Sequence, residues 1–340
     1  MPTRIIASLT LLLALGVDAA AVTIDTVPVG YAGNAADVNY GDGQFGAVSY
    51  DYRIGKYEVT NAQFVEFLNA KVGAVNVPGG IGYVPTIMGS SLRGGILRSG
   101  VAPNYTYSVK ADFADKPVIG TSWMTAIRFA NWMHNGQGDG DTETGAYTIP
   151  PDLTNQFTII PRNPGARWFL PSEDEWYKAA YYQPAAQGGD ADDYWLYPTR
   201  SNDLPTLATA DAAGNINNPG ANVANYLQGA DWNTQNGNVT TVGSAGSASA
   251  GFFGTHDQAG NVREWTEGLH PLFADSNVMR GGSWVDSSLA ASLQRYGGQA
   301  SVEHWYGFRL ATVPEPSAYV LAAMGFAAML LARRRRAAAS

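Results

Sequence analysis

The sequence predicts a mixed strand-and-helix domain, on three observations. Short apolar strands repeatedly run through a capping residue into an amphipathic helix. The 39 Gly and 18 Pro among 340 residues mark many turns between those units. No internal repeat of fixed period is visible, which argues against a propeller or solenoid. Hydrophobic residues make up 45% of the chain, enough to bury a sizeable core.

In chain order, residues 22–49 are rich in Gly, Ala and Asp and read as an extended or looped segment over a surface. Tyr52, Ile54, Tyr57 and Val59 then suit a strand. Thr60 with Gln63 forms a capping box, and Phe64, Phe67 and Leu68 share the helical face that follows. Residues 116–135 repeat the theme, with a short apolar strand, Ser122 as cap, and Trp123, Ile127 and Ala130 on one helical side. In residues 167–182, Ser172 and Glu175 make another capping box. Glu173 and Asp174 sit in the first turn, where the helix dipole favours acids. Residues 183–250 are polar and turn-rich.

The segments IGKYEVTNAQFVEFLNA, KPVIGTSWMTAIRFANWM, RWFLPSEDEWYKAAYY, GTHDQAGNVREWTEG, MRGGSWVDSS and GFRLA occur in this order. That order resembles the sulfatase-modifying-factor family, the formylglycine-generating-enzyme domain. The resemblance spans residues 50–312 and implies a single α+β domain related to C-type lectins, with much irregular loop.

Both ends carry processing signals. Residues 1–21 place Arg4 before an apolar run and end in small residues, the layout of a signal peptide. Residues 313–340 hold Pro314-Glu315-Pro316, an apolar stretch over 318–332 and the basic block Arg333 to Arg336. This tail resembles the PEP-CTERM sorting signal. It implies export from a Gram-negative bacterium, signal peptidase and exosortase as processing partners, and transient inner-membrane association through 318–332. The mature form is then expected outside the cytoplasm, at the cell surface or in the extracellular matrix. Losing Arg4, Asp18 and the four tail arginines takes the formal charge of −8 to about −12. Such a surface disfavours nucleic acid.

Two calcium sites are expected from ligand chemistry and the family pattern. Asp257 and Glu264 offer hard carboxylate oxygens around a tight Gly260-Asn261 turn, as calcium requires. The resemblance adds the carbonyls of Gly260 and Val262 to these two side chains. The alternative is a hydrogen-bonded turn beside the Trp265 strand. A second set falls on Asn225, Tyr226, Asn236 and Asn238, with Asn236 where the family has an acid, which removes a charge. The loop with Asp139, Asp141 and Glu143 lacks the distal bidentate acid and the helix context of an EF-hand, and reads as solvated.

The four histidines show no pairing on one helix face, and no HExxH, G-x-S-x-G or phosphate loop occurs. The chain has no cysteine, so disulfides and thiolate chemistry are excluded. In the resembled family, a thiol pair that binds copper(I) follows the GGS-aromatic turn. Its positions fall on Asp286 and Ala291 here, a hard ligand and no ligand, so no copper is expected. The reading favoured is an exported, non-catalytic surface protein on a calcium-braced lectin-like fold. Ser283, Trp284 and Asp286 are expected to border a shallow depression for a glycan or peptide. The alternatives are a formylglycine-generating-type oxidase or other protein-modifying enzyme using different residues, and a purely structural matrix protein.

Overall fold

The computed structural model describes residues 21–38, 44–71, 82–151, 160–270, 273–287, 296–298 and 302–313. Residues 1–20 of the expected leader (1–21), Ala291 and the tail from 314 lie outside the described residues.

The first sheet joins both ends of the described chain. Strand β1 (Thr26–Val29) pairs antiparallel with β2 (Tyr52–Gly55), which leads into α1 (Asn61–Ala70). The Thr60–Gln63 capping box forms as the sequence predicts, and Phe64, Phe67 and Leu68 are buried. The expected strand runs only to Gly55, although the Lys56 amide still donates to the Asp25 carbonyl in the same antiparallel register. Within the segment expected to be extended or looped over a surface, residues 26–29 form an edge strand whose Val29 is fully buried.

Strands β3 (Ile96–Val101) and β4 (Asn104–Val109) form a separate hairpin. Helix α2 (Trp123–His134) is capped by the Ser122 side chain and buried almost all round. The apolar strand expected ahead of it does not form; Pro117 makes only an isolated bridge to Thr60. Rings from α1 and α2 interlock, with Phe67 lying 5.3 Å from Phe129 and 5.4 Å from Trp132. Strand β5 (Trp168–Phe169) leads to α3 (Glu173–Tyr181), whose Ser172–Glu175 capping box also forms. Such caps contribute about 1 kcal/mol each.

The turn-rich stretch that follows contains only β6 (Thr206–Leu207) and β7 (Val223–Ala224) as strands, paired in parallel. The second sheet is built on the hairpin of β8 (Arg263–His270) and β9 (Phe273–Arg280), flanked by β10 (Tyr296–Gly298) and β11 (Tyr306–Gly307). Finally β12 (Ala311–Thr312) inserts between β2 and β5, giving the first sheet the order β1-β2-β12-β5. Phe308, Arg309 and Leu310, between β11 and β12, are fully buried where the two sheets meet.

Candidate functional site

Strand period two explains the centre of the site. Arg263 and Glu264 are neighbours on β8, so their side chains leave opposite faces of the sheet. Glu264 points inward to Arg309, with Nε–Oε2 and Nη2–Oε1 distances of 2.5 and 2.7 Å. The Trp176 indole donates to the same carboxylate at 2.8 Å. Arg309 spends its remaining donors on the carbonyls of Gly55, Lys56 and His256.

Two more carboxylates share this interior. Asp257 has φ of 61° and accepts the Gly243 amide at 2.5 Å. Burial raises its pKa to about 6, with the Glu264 charge adding to the shift. Glu58 is 2% exposed, and burial followed by the charge of Asp257 pushes its carboxyl well above the ordinary range. Its Oε1 accepts from Asn261 at 3.1 Å, while Oε2 has no hydrogen-bond partner.

The two expected calcium segments lie side by side. Asn225 bridges Gly260 in parallel, and the Asn261 amide donates to the Asn225 carbonyl. Gly260 has φ of 90°, and a Cβ there would lie 2.1 Å from the Asn225 carbonyl oxygen. Only glycine permits that approach. Asn225 donates its side-chain amide to the Asn238 carbonyl at 2.9 Å, leaving its buried Oδ1 without a partner. The Tyr226 carbonyl accepts the Gly229 amide. Asn236 stands apart: it is exposed, its amide donates to Gln228, and its carbonyl accepts Arg93. Val262 is fully buried against Trp284. Of the second set, only Asn225 Oδ1 is a buried side-chain oxygen without a donor, whereas Glu264 already has a cationic partner in Arg309.

On the other face of β8, Arg263 meets the loop that follows β9. Gly281 and Gly282 take φ of 96° and 65°, and a Cβ on Gly281 would lie 3.2 Å from the Trp176 ring. Trp284 is buried and lies 4.6 Å from the Arg93 guanidinium. Asp286 does not stand alone. It forms a bidentate ion pair with Arg263 and accepts the Ser283 hydroxyl at 2.7 Å. Its side chain is 12% exposed. Ser283 is fully buried, so it braces Asp286 rather than facing solvent.

The adjoining surface was not singled out from sequence. Leu227 and Gln228 are consecutive exposed residues at φ of 47° and 56°. Their amides donate to the carbonyls of Asp286 and Trp284 at 3.0 and 2.7 Å. Consecutive left-handed residues other than glycine store strain, which concentrates at functional sites. In the acidic loop, Asp141 accepts from Glu143 and Thr144, and Glu143 pairs with Arg128, as a self-contained turn does.

Fold and site together define a formylglycine-generating-enzyme-like domain of the C-type-lectin-related class. The chain belongs to the sulfatase-modifying factor family, since residues 35–313 match the sulfatase-modifying factor enzyme 1-like domain. Residues 312–336 match the PEP-CTERM protein-sorting motif, which marks the protein for export and surface sorting and is recognised by an exosortase. No helix among the described residues is long and apolar enough to cross a membrane. The solved structure of CarF is similar, with a TM-score of 0.53 and 22% identity over 86% of this chain and 99% of that one. Variable protein 1 of Treponema denticola gives 0.47 and 19%, over 85% and 95% of the two chains. PvdO from Pseudomonas aeruginosa gives 0.43 and 14%, over 86% and 92%. The likeness to CarF shows the shared fold. No curated protein matches the sequence.

Proposed function

We propose that this exported protein is a non-catalytic member of its family that binds a glycan or peptide outside the cytoplasm. The bound surface is the one around Leu227, Gln228, Arg93 and Asp286. The carrying observation is the exchange at the thiol position: Asp286 stands there, and its charge is held by Arg263 and Ser283. A carboxylate in an ion pair is a poor ligand for copper(I) and a poor base, whereas its arginine fixes the loop rigidly. The strained pair Leu227–Gln228 supports the same reading, because rigid presentation of exposed groups lowers the ordering cost of binding.

Calcium braces the domain in this reading, with Asn225 Oδ1 as the ligand that now lacks a partner. Bound calcium supplies positive charge to an acid-rich interior and stabilises the folded chain by mass action. Glycan and peptide arrays test the function. Binding should be lost with Leu227→Asp and weakened with Gln228→Ala, both at exposed positions that leave folding intact. An array with no ligand above background for the wild-type protein refutes the binding role.

A further inference from the structure

We propose that the β3–β4 hairpin docks the protein on a bilayer surface that carries anionic phosphate headgroups. The proposal rests neither on the ligand surface at Leu227 nor on the calcium brace, and it uses none of the sorting tail.

The charge pattern is the first observation. The chain carries 29 acidic and 21 basic residues, yet residues 67–111 contain no Asp or Glu. The same stretch holds Lys71, Arg93, Arg98 and Lys110. Arg98 is exposed, and its guanidinium lies 5.0 Å from the Tyr83 ring and 4.3 Å from the Tyr105 ring. Lys110 donates to the Ser91 carbonyl at 2.8 Å, and burial alone lowers its pKa. Among the described residues, no carboxylate pairs with Arg98 or Lys110. The rings hold the Arg98 guanidinium in place, and a planar fork of donors suits a phosphate bidentately.

The second observation is the tip. Residues 97–104 are all exposed. Leu97 is 48% exposed and Val101 75%, the highest value for a large hydrophobic among the described residues. Four positions apart on a strand, they share one face of the ribbon. Between them, the hydroxyls of Ser99 and Thr106 bond each other at 2.7 Å, which spends polar groups that would resist entry into lipid. Ala102 and Pro103 complete an apolar end. An acidic polysaccharide would engage the arginine but gain little from these bare side chains. A bilayer uses both.

The base of the hairpin is fixed. Asn69 of α1 donates to the Tyr107 carbonyl at 3.0 Å and accepts the Tyr107 amide at 2.8 Å. Tyr107 is buried with its ring 5.0 Å from that of Tyr83. A two-stranded ribbon still needs water for its outer backbone groups, so entry stops at the interface. Leu97 and Val101 then reach the acyl boundary, while Tyr105 and Arg98 settle at headgroup level, as amphipathic side chains do. Lys110 lies nearer the body, where its amide donates to the Gly95 carbonyl, and adds electrostatic attraction.

Vesicle co-sedimentation of the processed protein is the test, since the precursor's apolar tail would bind lipid by itself. Vesicles of equal parts phosphatidylcholine and phosphatidylglycerol should carry the wild type down, and pure phosphatidylcholine should bind it about tenfold less. Arg98→Gln should weaken partitioning about fivefold and Val101→Asp about tenfold. Both positions are exposed, so circular dichroism should match the wild type. Leu227→Asp should partition as the wild type does, which separates failure here from failure of the ligand surface. Equal partitioning of the wild type, Arg98→Gln and Val101→Asp overturns the proposal. A wild type that stays in the supernatant also overturns it, and polygalacturonate binding that is lost with Arg98→Gln then assigns the hairpin to an acidic glycan.

Discussion

Arg309 and Glu264 face each other with both side chains at 0% exposure and contacts of 2.5 and 2.7 Å. They come from the end of the domain and from β8, so their pair ties the two sheets together. Removing one partner strands the other charge away from water, which costs about 3–5 kcal/mol. Arg309→Met and Glu264→Gln should therefore each lower the urea midpoint strongly. The double variant should lose clearly less than the sum, because neither charge is then left alone. Strict additivity in urea melts rules out the coupling.

Asn225 gives the second prediction. Its Oδ1 is buried without a partner, and its amide already holds the Asn238 carbonyl. Calcium should raise the melting temperature of the wild-type protein, with a gain of about 2.7 kcal/mol when the ion is at a hundred times its dissociation constant. Asn225→Ala should abolish most of that increment while leaving a folded chain in chelator. A melting temperature indifferent to chelator in the wild type contradicts the brace.

The helices were legible because their signals are local. Thr60 with Gln63, Ser122, and Ser172 with Glu175 all act within one turn, and tertiary context did not override them. Strand ends were less legible. They depend on partners far off in sequence: the Gly55 amide donates to the Leu310 carbonyl, and Pro117 reaches Thr60 through an isolated bridge only. The acids Asp257, Glu264 and Asp286 were visible as chemistry, but their partners were not. Arg309 pairs with Glu264 across 45 residues and Arg263 with Asp286 across 23, while Asp257 takes the Gly243 amide. Only the period-two alternation of β8 hints that adjacent Arg263 and Glu264 serve different faces. Glu58 carried no signal at all beyond lying in a strand-like run.

Lys116 sets a pH dependence. Its ammonium donates to the Ala213 carbonyl at 2.8 Å and the Thr241 hydroxyl at 2.7 Å, beneath the Trp232 ring. Burial lowers its pKa from 10.5 to about 8, outweighing the opposing charges of Asp112, Asp115 and Asp211. The unfolded chain keeps the higher value and so binds more protons between these limits. Stability then rises with pH through that window, and the full deficit is present below about 8. Urea midpoints between pH 7.5 and 9.5, on the order of the window itself, should climb for the wild type and stay flatter for Lys116→Met. Parallel curves for the two proteins exclude Lys116 as the source.

The loop that follows β9 decides the chemistry. Gly281 and Gly282 fix the turn through positive φ, and Trp284 anchors it beneath Arg93. That turn carries the chain to Asp286, where the resemblance would place the first thiol. At that position the carboxylate is bidentate with Arg263 and bonded to Ser283, and the chain has no cysteine to supply a soft ligand. Copper(I) prefers thiolates, and the Asp286 carboxylate already has Arg263 as its cationic partner. We expect no conversion of a sulfatase-type cysteine peptide to formylglycine, even with copper and oxygen supplied. Asp286→Cys alone should restore none, since Arg263 remains and the second position is Ala291. Mass spectrometry of the peptide is the readout. A mass change above the enzyme-free control, in the wild-type protein, defeats the non-catalytic reading whatever the binding arrays show.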